Sequence, residues 1–218
     1  MLKFDFEQFE NDVVVAAGKK SGSIPDSGNR TELVKDGGLR DVQPGNGRCD
    51  LMPLDILGDL IDIASFKIAP DIIETYVNCD TPFVISHIFQ RINDYIYRGT
   101  TESLKEAVIM FMLHNYSIET ATEDNVRNVA ATAISTAILD LSKRYREGAE
   151  KYAERNWEKG IPVKSCLDSG IRHLLKWHRG DSDENHASAF MWNIICAIWM
   201  MKNKPNCFED MPFIKSDK

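Results

Sequence analysis

The sequence has no surplus of positive charge, and this absence excludes two classes of partner. It contains 26 lysine and arginine residues against 33 aspartate and glutamate residues, a formal net charge of −7. Duplex DNA and anionic membrane surfaces are polyanions, so an acidic chain is a poor partner for either. A nucleotide is not excluded, because a few basic side chains and a divalent cation held on carboxylates can neutralise a small anion locally. We therefore expect no duplex nucleic acid and no membrane among the partners.

The sequence also lacks paired cysteines and long apolar runs. Its five cysteines form no C-x-x-C motif, which is typical of a reducing compartment rather than of a disulfide framework or a zinc ribbon. The most apolar stretch, residues 187–201, contains Asn193 and is shorter than the roughly 20 residues that span a bilayer. The first residues are acidic where a signal peptide would be basic. These features predict a cytoplasmic protein.

No segment alternates polar and apolar residues over the length of a strand. After residue 50, apolar residues recur every three or four positions through most of the chain. This period predicts an all-α protein, a bundle of about six helices that follows a long N-terminal loop region rich in Gly, Ser, Asn and Asp. We expect three parts: an N-terminal extension and glycine-rich loop (1–50), a helical domain (51–204) and a C-terminal tail (205–218).

Capping and stop residues predict where the helices begin and end. Asp50 is a candidate cap for the first, Thr81-Pro82 opens the second, and Gly99 ends it. The third helix begins at Thr101. The remaining three cover about residues 124–155, 164–179 and 183–202, with Gly180 between the last two.

The last predicted helix is apolar almost all round, yet its polar residues share one stripe. His186 and Asn193 are seven positions apart, and Asp183 lies one turn before His186. Asp183 and Glu184 fall at the helix N-terminus, where free N–H groups favour carboxylates or bound phosphate. The alternative is structural: Asp183 caps the helix, and His186 and Asn193 are polar groups paired within the core.

The fifth helix adds His173, Arg172 and Asp168. His173 lies away from the apolar face and is a candidate metal ligand or general base. His178 shares the apolar stripe, so we expect it in the core. Arg172 can pair with Asp168 four residues earlier, or it can bind phosphate if it faces a cleft.

Charged residues line one side of the end of the fourth helix, and an amide and an aromatic ring follow them at Asn156-Trp157. Such a run is usually a solvated, self-paired surface. If its carboxylates face those at the start of the last helix, the two sets can hold Mg²⁺. Gly148 is expected to let another backbone approach. The residues of the run are Asp140, Arg144, Glu147, Lys151 and Glu154.

The glycine-rich stretch GGLRDVQPGNGR carries Arg40 and Arg48. It is neither a P-loop, because G-K-[ST] is absent, nor a dinucleotide-binding fingerprint, because no strand precedes it. It is either a plain loop or a segment that folds over an anionic ligand.

One C-terminal run resembles the dATP/dGTP diphosphohydrolase family that is common in bacteriophages: KYAERNWEKGIPVKSCLDSGIRHLLKWHRGDSDENHASAFMWNIICAIW. That family is similar in general character to the all-α MazG-type pyrophosphohydrolases. The loop SGNR…LRDVQPGNGRCDLMPLD resembles the N-terminal part of the same family. The residues of the C-terminal pattern are Gly148, Ala149, Lys151, Tyr152, Asn156, Trp157, Lys159, Gly160, Arg172, His173, Asp183, Glu184, His186, Trp192 and Asn193.

The resemblance covers residues 27–60 and 147–199, and it departs from the family pattern at two positions. Ala153 replaces a usual glycine, which a helix end tolerates. Asn46 replaces the lysine of G-K-G-R and so removes a cation that could touch phosphate. Residues 61–126 match nothing in the pattern and are either an insertion or an oligomerisation element.

The resemblance implies that a (deoxy)nucleoside triphosphate is hydrolysed between its α and β phosphates, with Mg²⁺ or Mn²⁺ as cofactor. It also implies a homo-oligomeric helical scaffold, encoded by a phage and acting in the host cytoplasm. The expected roles are metal binding by Glu147, Asp183 and Glu184; activation of water by His186 or His173; charge neutralisation by Lys151, Arg172 and Arg48; and substrate contacts by Asn156, Trp157, Arg48, Arg40, Tyr152 and Asn193.

Two other functions compete with this hypothesis. An HD-type phosphohydrolase would release triphosphate from dGTP, but it needs adjacent His and Asp, and no histidine here precedes an aspartate. A non-catalytic helical interaction module would pair its charged groups only with each other and would have no pocket near Asp183.

Overall fold

The computed structural model describes residues 46–207 in full, together with the backbone of two short strands, β1 (Arg30–Glu32) and β2 (Leu39–Asp41). The strands pair antiparallel, with Thr31 opposite Arg40. They belong to a first unit, residues 1–45, and the helices belong to a second, residues 46–218. Strands of three residues are too short to show alternation, so the sequence predicts only a loop here.

Seven α-helices form the described part of the second unit, and the prediction of an all-α bundle is confirmed. One-turn 3₁₀ helices flank them, and a π-helical turn, Ile63–Lys67, follows the first. The helices are α1 (Leu54–Asp62), α2 (Pro70–Asn78), α3 (Thr81–Arg98), α4 (Thr101–Tyr116), α5 (Val126–Lys151), α6 (Val163–Arg179) and α7 (His186–Asn203).

The ends of α3 and α6 follow from local chemistry that is visible in the sequence. The Asp80 side chain accepts a hydrogen bond from the backbone N–H of Phe83 at 2.9 Å and so caps α3. Gly99 ends α3 with φ 72°, and Gly180 ends α6 with φ 84°. Because glycine reaches this left-handed conformation without steric cost, the two predicted stops are confirmed.

Three details of the helix prediction are wrong. Helix α2 was not foreseen, because Ile73 is its one buried residue and a single anchor leaves no stripe to detect. Asp50 does not cap α1, which begins after Pro53 without a side-chain cap. Helix α7 begins at His186 rather than at Asp183, and Asn185 caps it by accepting from the N–H of Ser188 at 3.0 Å.

Helices α4 and α7 lie at the centre of the bundle. Every residue from Ala107 to Leu113 is buried, and so are 13 of the 18 residues of α7. Phe111 of α4 packs edge-on against Phe190 of α7 and Trp177 of α6, with ring centroids 4.8 and 4.9 Å apart. The region 61–126, which the sequence pattern does not place, thus contributes a central helix to the core.

Within residues 46–207, no helix combines the length and the apolar character that are needed to cross a bilayer.

Candidate functional site

A cleft of about 570 Å³ opens beside the C-terminal turns of α5. Its walls are the end of α5, the 3₁₀ turn Asn156–Lys159, one face of α6, the segment before α7 and the middle of α7. These are the elements on which the sequence places its candidate residues. Of those candidates, eight line the cleft: Glu147, Lys151, Tyr152, Asn156, Trp157, His173, Glu184 and Asn193.

Arg144 joins two acidic residues of the cleft wall. Its Nη1 lies 2.9 Å from Oε2 of Glu184 and 3.6 Å from Oε2 of Glu147. Partial burial raises the pKa of Glu184, but the hydrogen bond and the charge of Arg144 outweigh it, so this pKa lies below its ordinary value. The two carboxylates therefore converge on one positive centre.

A second group links His173 on the cleft wall to two residues behind it. The Nδ1 atoms of His173 and His186 are 3.0 Å apart, and Nε2 of His186 is 2.8 Å from Oδ1 of Asp183. Burial lowers the pKa of His173, so its ring is neutral near pH 7. His186 is 2% exposed and serves to hold the His173 ring.

Asp183 does not line the cleft. It is exposed and pairs with Lys176 at 2.9 Å as well as with His186. Hydrogen bonds from Lys176 and His186 lower the pKa of Asp183 to about 2. Of the three predicted metal ligands, Glu147 and Glu184 therefore line the cleft and Asp183 does not.

Two clusters in residues 46–207 have metal-ligand atoms within 4.8 Å of one another, and both include His186. One adds His173 and Glu184, the other Asp181 and Asp183. Both ring nitrogens of His186 already have partners. Mg²⁺ prefers oxygen ligands, and each cluster offers carboxylate oxygen beside imidazole nitrogen.

The cationic candidates differ in their availability. Lys151 lines the cleft and, among the residues that the structure describes, has no carboxylate partner; its Nζ lies 5.1 Å from the ring centroid of Tyr152. Arg172 is exposed and pairs with Asp168, as the structural alternative expected. Arg48 lies outside the cleft lining and pairs with Asp50 and Glu154.

The Arg40 side chain lies outside the described residues, and only its backbone, in β2, is described.

The aromatic residues of the cleft are not equivalent. Trp157 is only 7% exposed, because its ring packs edge-on against Tyr145 and Trp199 with centroids 5.7 and 4.8 Å apart. Tyr152 is 65% exposed. A base can stack only on an open ring face, so Tyr152 is the ring available for stacking and Trp157 forms the floor.

The predicted polar residues of α7 combine structural and cleft positions. Asn193 is buried, lines the cleft, and donates from Nδ2 to the backbone oxygen of Ala189 at 2.8 Å.

His178 of α6 is exposed, which contradicts its expected place in the core. It lies in the last turn of α6, where Leu175 is also 48% exposed, so the apolar stripe continues past the packed part of the helix.

The glycine that allows a close backbone approach is Gly47, not Gly148. A Cβ atom on Gly148 would meet nothing within 4 Å, whereas one on Gly47 would lie 1.6 Å from Oγ of Ser142. The N–H of Arg48 donates to the backbone oxygen of Ser142 at 3.0 Å. The end of the glycine-rich loop therefore docks on α5 at Ser142, two residues before Arg144 of the cleft lining.

Sequence reasoning gave no site role to four residues that line the cleft, although Trp192 is part of the family pattern: Arg144, Arg155, Ser169 and Trp192. Arg144 was seen only as part of a charge stripe. Its spacing of seven residues from Lys151 was a usable signal, because both then lie on one face of α5.

Residues 119–210 match the model of the family described as dATP/dGTP diphosphohydrolase, N-terminal. This stretch contains α5, α6 and α7 and every residue that lines the cleft except Leu51. No curated protein and no solved structure matches the chain. The resemblance seen in the sequence is confirmed over residues 119–210, which are less than half of the chain.

Proposed function

We propose that this protein hydrolyses purine deoxynucleoside triphosphates, dATP or dGTP, to the monophosphate and pyrophosphate. The observation that carries the proposal is the cleft inside the family-matched segment, where two carboxylates face three cations and a neutral histidine. Phosphoryl transfer needs both signs of charge at one place: anions to hold a metal and cations to meet the phosphates. The volume of about 570 Å³ is in the range of nucleotide-sized sites.

We propose that Glu147 and Glu184 hold Mg²⁺, or Mn²⁺ in its place. Their carboxylates already surround a single cationic atom, Nη1 of Arg144, which supports their fit to a divalent cation. A divalent ion there supplies charge neutralisation of the triphosphate and acidifies water. Side chains of the protein provide the remaining functions, which are proton transfer, neutralisation of the departing pyrophosphate and contacts to the base.

In the proposed reaction, a water oxygen bonds to the α-phosphorus while the bond between the α-phosphorus and the oxygen that bridges to the β-phosphate breaks. His173 takes the proton of that water, since its ring lines the cleft and is neutral. Lys151 neutralises the departing pyrophosphate. Tyr152 stacks on the base, and Asn156 offers amide contacts to the base edge.

The test of this function is pyrophosphate release from each dNTP and NTP with Mg²⁺ or Mn²⁺. The wild-type protein is expected to release pyrophosphate and to act best on dATP or dGTP. Triphosphate as the product would favour the HD-type reaction instead. No release from any nucleotide would favour the non-catalytic interaction module.

Glu184→Gln tests the carboxylate. The amide keeps the size of the side chain but removes its charge, so kcat is expected to fall by roughly 100-fold. Glu150→Gln is the matched control, because Glu150 lies on α5, is exposed and does not line the cleft. If Glu184→Gln turns over dGTP and dATP like the wild type, Glu184 does not hold the metal.

A further inference from the structure

One nitrogen of Arg144 occupies the point that two carboxylates share. Nη1 lies 2.9 Å from Glu184 and 3.6 Å from Glu147, and both contacts use the Oε2 atom of the glutamate. The Arg144 side chain is 26% exposed and lines the cleft. A guanidinium group here has the position and the charge of a cation held by Glu147 and Glu184.

These contacts cannot all persist when a divalent cation is bound. A carboxylate oxygen that ligates a cation directly excludes a guanidinium nitrogen from the same place, because the two positive groups repel at that range. Arg144 must then find another anion, since a partly buried arginine without a partner is costly. Arg144 lies seven residues before Lys151 on the same face of α5, so its side chain borders the part of the cleft assigned to the phosphates.

We propose that Arg144 exchanges partners during substrate binding: it neutralises Glu147 and Glu184 in the free protein and moves to the triphosphate when these carboxylates receive the metal. This inference rests on the proposed function and adds a phosphate-binding residue that pairs with the metal site beforehand. It also makes metal and nucleotide binding cooperative. The metal displaces Arg144 from the two carboxylates, and the triphosphate gives Arg144 a new anionic partner.

The exchange predicts that Arg144 opposes metal binding in the absence of nucleotide. Removing the guanidinium frees both carboxylates, so the free Arg144→Gln protein should bind Mn²⁺ about fivefold more tightly than the wild type. Mn²⁺ titration followed by electron paramagnetic resonance measures this without any turnover. Lys151→Gln is the matched control: it removes one positive charge from the same wall, but Lys151 touches no carboxylate among the described residues, so little change is expected.

The exchange also predicts that Arg144 favours Mn²⁺ binding, instead of opposing it, once nucleotide is present. A non-hydrolysable dGTP analogue, with a methylene group between the α and β phosphorus atoms, should strengthen Mn²⁺ binding in the wild type. It should do so much less in Arg144→Gln. In steady-state assays this variant should show a KM for dGTP raised by about tenfold. Arg144→Lys keeps the positive charge but not the bidentate hydrogen-bonding geometry of the guanidinium group. Its Mn²⁺ affinity and its KM for dGTP should lie between those of the wild type and Arg144→Gln.

Three results would overturn the exchange. Arg144→Gln could bind Mn²⁺ more weakly than the wild type, which would make Arg144 a residue that orients the carboxylates. It could match Lys151→Gln, which would leave only a general charge effect. Neither protein could bind Mn²⁺, which would remove Glu147 and Glu184 from the metal site. The proposed function fails separately, if the wild type releases no pyrophosphate while the Mn²⁺ titration gives the expected order.

Discussion

His173 owes its chemistry to the residues on either side of its ring. His186 fixes Nδ1 from behind at 3.0 Å, and Glu184 lies 3.6 Å away. Burial lowers the pKa of His173, and the nearby Glu184 only partly reverses this effect. The neutral ring can therefore accept a proton at pH 7, and the base form persists as the pH falls below 6.5.

We expect His173→Gln to lower kcat by about 100-fold with little change in KM, because a general base acts in the transition state. His178→Gln is the matched control, since His178 lies on α6 five residues later and is exposed. Pyrophosphate release measures both. A His173→Gln protein with the kcat of the wild type would assign the proton to another group.

The sequence predicted the residue types of the cleft better than the direction of their side chains. Trp157 and Tyr152 both belong to the family pattern, but only packing against Tyr145 and Trp199 decides which ring is covered. Asp183 and Glu184 are neighbours, yet only Glu184 lines the cleft, and Asp183 pairs with Lys176. Such differences depend on tertiary contacts that periodicity does not contain.

At the scale of elements, the docking of the glycine-rich loop on α5 depends on Gly47. A methyl group at this position would collide with the Ser142 side chain and with its backbone carbon, 2.5 Å away. The loop would have to lift, and with it the Arg48 contacts to Ser142 and Glu154. We expect Gly47→Ala to lower the free energy of unfolding by about 1–3 kcal/mol.

Gly58→Ala provides the control for this prediction. Gly58 lies inside α1, and a Cβ atom there would meet nothing within 4 Å. Alanine should therefore stabilise the protein by about 0.5–1 kcal/mol through helix propensity alone. Urea unfolding of both variants measures the opposite signs. An equal effect at the two positions would show that the loop does not depend on the close approach.

Helices with strong local signals were predicted, and those held by tertiary contacts were not. Helix α3 carries Asp80, Pro82 and Gly99 at its ends, so its bounds follow from capping chemistry. Helix α2 has only Ile73 in the core. The start of α7 depends on Asn185, whose side chain also donates to Asp140 of α5 at 2.8 Å. That contact joins residues 45 positions apart in the chain, and no local pattern reports it.

At the scale of the whole molecule, the cleft depends on helices outside the family-matched segment. Tyr116 at the end of α4 donates to Asp140 at 2.8 Å, and Asp140 in turn accepts from the Asn185 cap of α7. The Trp177 indole N–H donates to Asn115 at 2.9 Å. Helix α4 thus supports α5, α6 and the start of α7, the three elements that position Glu147, His173 and Glu184.

His114 joins the outer helices to this centre, and its protonation should weaken the whole bundle. Its Nε2 lies 3.1 Å from Oγ1 of Thr81, its Nδ1 is buried, and its ring packs edge-on against Trp177. Burial lowers the pKa of His114 below 6.5 despite a backbone hydrogen bond to Tyr76 and the charge of Asp80. An unfolded histidine titrates near 6.5, so the stabilising contribution of His114 is complete above that pH and is lost as the pH falls toward the folded pKa.

His114→Gln should reduce this loss of stability between about pH 7 and about pH 5, whereas His87→Gln, at an exposed position of α3, should keep it. Urea unfolding at the two pH values measures the difference. An unchanged pH dependence in His114→Gln would mean that the acid sensitivity arises at other groups. His173 is the first candidate among them, because burial lowers its pKa in the same direction.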